Sequence, residues 1–312
     1  MNIEKQIKDE EHLEIFNIST LNSIPDIVEL SKNIKTLDII LSFCSEKDFS
    51  VIESLLFETK ITSCKLQVPL CKNFYFLDRI YMSNLTELFL IDVKFSVESM
   101  TCLGKGLVHS KVNTLDISYN NIKDYLFQIL CKYFEKTRIK FLYLVFNQLS
   151  FVSMYNLMAI IHKTKISHID LFYNKITDLG VEYLFEKLHL SKIRFLDISR
   201  NHLTTKSCSI ISEKLPLTKL TTLWIYDDEL STFNIQPIID SIPKSFLTTF
   251  YFSHYFLTNK NIASMLEKNK KKIERHNAKI HFKNFISLVQ KRCDTPDFFF
   301  FQDVIYYIED FL

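Results

Sequence analysis

The stretch Ile166-Ser167-His168-Ile169-Asp170-Leu171-Phe172-Tyr173-Asn174-Lys175-Ile176 decides the fold. Its apolar residues Ile166, Ile169, Leu171 and Ile176 bracket an asparagine, and the same pattern returns every 27 residues. Before it stand Val112, Leu115, Ile117, Asn120, Ile122 and then Ile139, Leu142, Leu144, Asn147, Leu149. After it comes Ile193, Leu196, Ile198, Asn201, Leu203. Two further copies keep the spacing but replace the asparagine: Leu220, Leu223, Ile225, Asp228, Leu230, then Leu247, Phe250, Phe252, Tyr255, Leu257. A fixed period of this length means that each unit buries its apolar face against its neighbours, so the chain is a solenoid.

One unit reads as a strand followed by a helix. Residues 167–172 alternate as a short strand with one buried face does. Asn174 follows at a sharp turn, where its amide can bond backbone groups of adjacent units and form a ladder. Thr177-Asp178 reads as a helix start, with Leu184 and Leu188 at helical spacing. The helical phase repeats as well. Ile52, Leu103, Leu130, Leu157, Leu184, Ile211, Ile238 and Met265 share one position, and Leu56, Leu107, Phe134, Ile161, Leu188, Leu215 and Ile242 another.

Weaker copies precede the regular ones: Ile34, Leu37, Ile39, Cys44; Ile61, Cys64, Leu66, Cys71; Leu85, Leu88, Leu90, Phe95. The second is three residues short, which predicts an irregular helix there. The organisation is therefore an N-terminal cap at 1–33, about nine repeats over 34–258, and a helical C-terminal cap at 259–312. Terminal units must cover the open core and depart from the repeat.

Composition narrows the classes. The 312 residues carry a net charge of +2, are 47% hydrophobic and include only three glycines, so the chain is packed and offers no obvious polyanion-binding charge. Its seven cysteines are scattered without a C-x-x-C pair, as reduced thiols are. The charged opening MNIEKQIKDEEHLE has no apolar signal core, and no uninterrupted apolar stretch is long enough to span a membrane.

The pattern L-x-x-L-x-L-x-x-N-x-L followed by a full helix resembles the leucine-rich repeats, specifically the ribonuclease-inhibitor-like subfamily. The resemblance covers about residues 34–269. It implies an α/β horseshoe arc with a concave parallel β-sheet, convex helices and a helical cap at each end. Departures at Ser42, Pro69, Val93, Asp228 and Tyr255 disturb the outer turns. The Phe, Ile, Lys and Asn bias and the absence of a signal peptide also resemble the leucine-rich-repeat effectors that Legionella-type bacteria deliver into host cells.

In this family partners dock on the concave sheet face. Register places Asp116, Tyr119, Phe141, Tyr143, Phe146, His168, Asp170, Phe172, Tyr173, Phe195, Asp197, Arg200, Trp224, Tyr226, Asp227, Tyr251 and His254 there or on its rim. A solvated sheet face is ordinarily short and polar. Aromatic rings among Asp, Arg and His instead form the composition of a protein-binding hot spot. On this reading, replacing Trp224 and Tyr226 by alanine abolishes binding without lowering the melting temperature.

Catalytic signatures are missing: no H-E-x-x-H, G-x-S-x-G, phosphate loop or metal-ligand spacing occurs. The nearest enzyme-like group is His168 with Asp170, Asp197 and Ser199 on an open sheet surface. The basic run from Lys268 to Lys279 reads as a solvated helix face. The segment 296–312 resembles the opening helix of an F-box without its leucine-proline start. The expectation is a non-enzymatic, cofactor-free and metal-free binding module, a monomer when free, in the cytoplasm or secreted into a host cytosol. Its partner is one folded protein, of the host or another bacterial effector, and neither nucleic acid nor membrane. The alternatives are a ubiquitin-ligase adaptor using the final helix, and a GTPase regulator.

Overall fold

The computed structural model describes residues 7–9, 11–15, 33–41, 46–68, 74–226, 230, 235–252 and 260–274. Eleven strands form one sheet in chain order: β1 (Ile7–Asp9), β2 (His12–Ile15), β3 (Thr36–Ile40), β4 (Ser63–Gln67), β5 (Glu87–Ile91), β6 (Thr114–Asp116), β7 (Phe141–Tyr143), β8 (His168–Asp170), β9 (Phe195–Asp197), β10 (Thr222–Trp224) and β11 (Thr249–Tyr251). β1 pairs antiparallel with β2, and every later pairing is parallel. Between strands the chain crosses back through α1 (Glu46–Glu58), α2 (Val97–His109), α3 (Asp124–Phe134), α4 (Phe151–Ile160), α5 (Thr177–Lys187), α6 (Thr205–Lys214) and α7 (Gln236–Ser241). α8 (Lys260–Glu274) lies beyond the last strand.

The three-residue shortfall in the second unit has a direct structural result. Ser63 pairs with Glu87, 24 residues on, and the crossover between them is a 3-10 helix, Tyr75–Met82, with a shorter path than an α-helical unit. α2 packs closely on that helix, where a Cβ at Gly106 would lie 1.9 Å from the Leu77 carbonyl oxygen. Only glycine fits at this contact.

Leu and Ile at the inward strand positions (Leu115, Ile117, Leu142, Leu144, Ile169, Leu171, Leu196, Ile198) are fully buried in one core with the helical leucines. The asparagine ladder holds the turns. Asn174 Nδ2 donates to the Leu144 and Leu171 carbonyls at 2.9 and 3.0 Å, and its Oδ1 accepts the Leu149 N–H at 3.0 Å. Asn120, Asn147 and Asn201 repeat the arrangement, each amide reaching a carbonyl of the preceding unit. The side chain thus substitutes for the strand ladder where the chain leaves the sheet, satisfying backbone groups with no water available.

Two columns that the repeat pattern did not reveal reinforce this frame. Ser110, Thr137, Thr164, Ser191, Thr218 and Ser245 each donate a hydroxyl to the carbonyl three residues earlier, at 2.6–3.0 Å, closing the helix end. At helix starts, Asp124 accepts from the backbone and hydroxyl groups of Ser150 and Ser153, and Asp178 does the same with Thr204 and Ser207. Partial burial raises the Asp178 pKa, but the bonds from Ser207 and Thr204 outweigh it and hold the carboxyl below its ordinary range. Burial likewise pushes the Cys208 thiol up to about 11, and the Cys64 and Cys131 thiols higher still, so none of the three is a thiolate at neutral pH.

Asn174→Ala leaves several buried backbone groups unmatched and is expected to cost about 3 kcal/mol in urea unfolding. Asp178→Asn is expected to cost about 1 kcal/mol at neutral pH, allowing for partial exposure. Because the folded carboxyl titrates below its unfolded value, the wild-type advantage is full above about pH 5 and disappears as pH falls through the folded pKa. Urea midpoints measured across that range check the sign.

Candidate functional site

The sheet face turned away from the helices carries two ring systems, and they differ in exposure. The first is a floor on the strands. Register places Phe141, His168 and Phe195 side by side, with Tyr143, Asp170, Asp197, Trp224 and Tyr251 in the adjoining row. His168 stacks on Phe195 at 3.7 Å between ring centres and 7° between planes, and lies 5.3 Å from Tyr143 and 5.7 Å from Phe141. Phe195 meets Trp224 edge-on at 5.4 Å, and Trp224 meets Tyr251 at 5.6 Å. The rings run unbroken from β7 to β11.

This mutual contact corrects the expectation that all these side chains stand in solvent. Tyr143 is 2% exposed, Trp224 7%, Phe195 8% and His168 9%. Tyr143, Phe195 and Trp224 are buried without belonging to the core between sheet and helices, so the sheet has a second, ring-built apolar layer of its own. Burial, with Tyr226 and Asp197 nearby, pushes the Tyr251 phenol up to about 12.

The aspartates are also corrected. Asp170 and Asp197 are buried. Their carboxylates accept the backbone N–H groups of Phe172 and Ser199 two residues on, at 2.9 and 2.8 Å, and Asp116 does the same for Ser118 at 2.9 Å. These are local turn-closing bonds where the strand ends. Ser199 Oγ accepts the Tyr226 N–H at 2.9 Å. The enzyme-like group of His168, Asp170, Asp197 and Ser199 is thus engaged in stacking and backbone bonding. Among the described residues no group of three or more His, Cys, Asp or Glu is placed to hold a metal ion.

The second system is the rim just past the strands. Tyr119, Phe146, Tyr173 and Arg200 precede the ladder asparagines and have left-handed backbones, with φ of 62°, 56°, 55° and 56°. The turn imposes this. Each N–H is committed to the next unit, Phe146 to Phe172 at 2.9 Å and Tyr173 to Ser199 at 3.0 Å, while the following asparagine turns inward. The side chains are directed outward and stack as a file. Tyr119 and Phe146 lie 5.1 Å apart at 11°, and Phe146 and Tyr173 lie 4.1 Å apart at 3°. Phe146 remains 43% exposed and Tyr173 48%, with Tyr119 and Phe172 half-buried beside them. Arg200 continues the file and lies 4.7 Å over the Tyr226 ring. Asp227 and His254 fall outside the described residues, as does the segment 296–312.

A family model described as Leucine Rich repeat matches residues 108–124 and 162–185. With the parallel sheet in chain order and a helix in each crossover, this settles the architecture. The fold is a leucine-rich-repeat solenoid. No curated protein matches the sequence. Among solved structures, an internalin from Listeria monocytogenes is similar at 16% identity over 72% of this chain and 76% of that one, with a TM-score of 0.37.

The two ring systems of the solenoid respond differently to truncation. Trp224→Ala opens a cavity in the floor and is expected to destabilise by about 3 kcal/mol. Tyr173→Ala removes an exposed ring from a strained backbone position and is expected to stay within about 1 kcal/mol of wild type. Paired urea melts measure both, and equal losses would contradict the division. For the same reason the Trp224/Tyr226 double substitution is not a neutral probe of binding.

Proposed function

We propose that the chain is a non-enzymatic protein-binding module that grips one folded partner through the aromatic rim and the adjoining floor. The leucine-rich-repeat solenoid is a general scaffold for protein–protein interaction. The observation that carries the proposal is the file Tyr119–Phe146–Tyr173. A bulky residue in left-handed backbone costs about 1–2 kcal/mol. Stacking returns only about 0.5–1.5 kcal/mol per pair, and it leaves nearly half the surface of two rings in water. Glycine or asparagine would serve the turn at lower cost. Three consecutive aromatics at that position supply rigid, amphipathic contact area with little entropy left to lose, which is the property of an interface anchor. Arg200, held over Tyr226, adds a cationic donor at the end of the file.

The ribonuclease-inhibitor-like repeat pattern supports a finer form of the proposal: the arc covers a functional surface of its partner and inhibits it. The composition supports a setting in a host cytosol, reached by secretion from a bacterium, with a host protein or a second effector as partner. The adaptor alternative rests on residues 294–312 alone, and removing them separates it from the rim proposal, which predicts unchanged binding.

Affinity capture from host lysate and from the producing organism supplies the partner, and titration calorimetry then reads the surface. Phe146→Ala/Tyr173→Ala is expected to weaken the complex by about 2 kcal/mol or more, roughly 30-fold, with the melting temperature within a few degrees of wild type. Wild-type affinity in that variant would reject the rim.

A further inference from the structure

The edge of the solenoid where helices hand over to strands carries a charge pattern that the near-neutral total conceals. Six loops form its regular part, at 107–114, 134–141, 161–168, 188–195, 215–222 and 242–249, and they hold ten Lys or Arg residues and one carboxylate, Glu135. Since the whole chain has a net charge of +2, everything outside this edge is net negative. Glu135 pairs with Lys163 at 3.5 Å.

The cations are ordered in a column. Lys111, Arg138, Lys165, Lys192 and Lys219 each follow one of the buried hydroxyl residues and are exposed. Around those hydroxyls the backbone repeats closely: φ and ψ are −85° and 168° at Thr164, −90° and 173° at Ser191, −85° and 168° at Thr218. Adjacent loops are also bonded to each other, Ser167 N–H to Lys140, Arg194 N–H to Ser167 and Thr221 N–H to Arg194, at 2.7–2.9 Å. Equivalent side chains therefore emerge in parallel, about 4.8 Å apart at the backbone. Like charges at that spacing repel by about 1 kcal/mol per pair in water, and the loops supply one carboxylate to offset them. A solvated face of mixed charge would be arranged differently.

Apolar side chains adjoin the column on the same edge. Leu190 is 51% exposed and Leu217 65%, where neighbouring units carry Lys136, Lys163 and Lys244, and Phe246 occupies the cation column itself at 43%. Exposed leucine and phenylalanine beside a file of cations match a surface that is anionic outside and apolar just beneath. Single-stranded nucleic acid calls instead for a series of stacking aromatics along the groove, and these loops expose one, Phe246, at their end.

We propose that this edge docks the chain on an anionic lipid bilayer, with headgroup phosphates and carboxylates against the cation column and Leu190, Leu217 and Phe246 in the interfacial layer. Among the described residues no helix is long and apolar enough to cross a membrane, so the attachment is peripheral. This revises the expectation of no membrane partner, which rested on net charge and on the lack of a spanning segment. The docking edge and the aromatic rim lie at opposite ends of the strands and can be occupied together.

The full chain is sedimented with phosphatidylcholine vesicles and with vesicles in which about a third of the lipid is phosphatidylserine. Binding is expected only to the anionic vesicles and to fall as salt rises. Arg138→Glu/Lys165→Glu/Lys192→Glu is expected to lower partitioning about a hundredfold or more. Leu217→Ser/Phe246→Ser is expected to lower it about tenfold while leaving the salt dependence in place. If the charge-reversed chain melts early, Lys165→Gln/Lys192→Gln is read instead, with a loss of about tenfold. Equal binding to both vesicles, binding to neither, or full binding by the charge variants overturns the proposal. Capture of an acidic polypeptide or single-stranded RNA without vesicle binding also overturns it.

Discussion

The asparagine amide at the end of each strand is the interaction on which the rest of the molecule depends. Asn120, Asn147, Asn174 and Asn201 each bridge their own turn and the preceding unit, closing backbone groups that neither strand nor helix reaches. Because the bridge has the same geometry in every unit, it forces one residue before it into left-handed backbone and repeats the register of everything after it. A solenoid gains stability by addition of near-identical interfaces. Here the repeated element is a set of buried side chains (asparagine, serine or threonine, and the helix-start aspartate) that satisfy backbone groups across unit boundaries.

Repetition turns single positions into columns, and each column has its own chemistry. Positions facing the helices are aliphatic and make the core. Positions on the opposite sheet face from β7 to β11 are rings that cover one another. The left-handed position carries exposed rings, and the loop before each strand carries cations. The surfaces follow from the same backbone and differ only in which residue type the sequence places in each column. The floor stiffens the sheet beneath the rim, so the exposed rings are presented by a rigid base and lose little freedom on binding.

The period, the strands and helices, the ladder role of asparagine and the irregular second unit were all readable from the sequence, because each depends on spacing and side-chain class alone. What spacing could not show was which rings cover which. Alternation assigns Phe141, His168 and Trp224 to one face, but burial of Trp224 depends on Phe195 and Tyr251 from adjacent units. The aspartates looked available because the N–H groups they accept lie only two residues away, in a turn whose shape the repeat pattern does not specify. The left-handed conformation of Tyr119, Phe146 and Tyr173 had one available signal, a bulky residue immediately before each ladder asparagine. The cation column was hidden by summation: a total of +2 says nothing of where charge lies.

The central claim is that the rim rings stand in solvent while the floor rings shield one another. Hydroxyl-radical footprinting of the free chain tests this most directly, because it reads each aromatic side chain without a partner. Phe146 and Tyr173 should be oxidised at rates close to those of the same residues in an unfolded chain, while Tyr143, Phe195 and Trp224 are strongly protected. Trp224 labelling as fast as in the unfolded chain, or protection of Tyr173 to the level of Tyr143, would contradict the account.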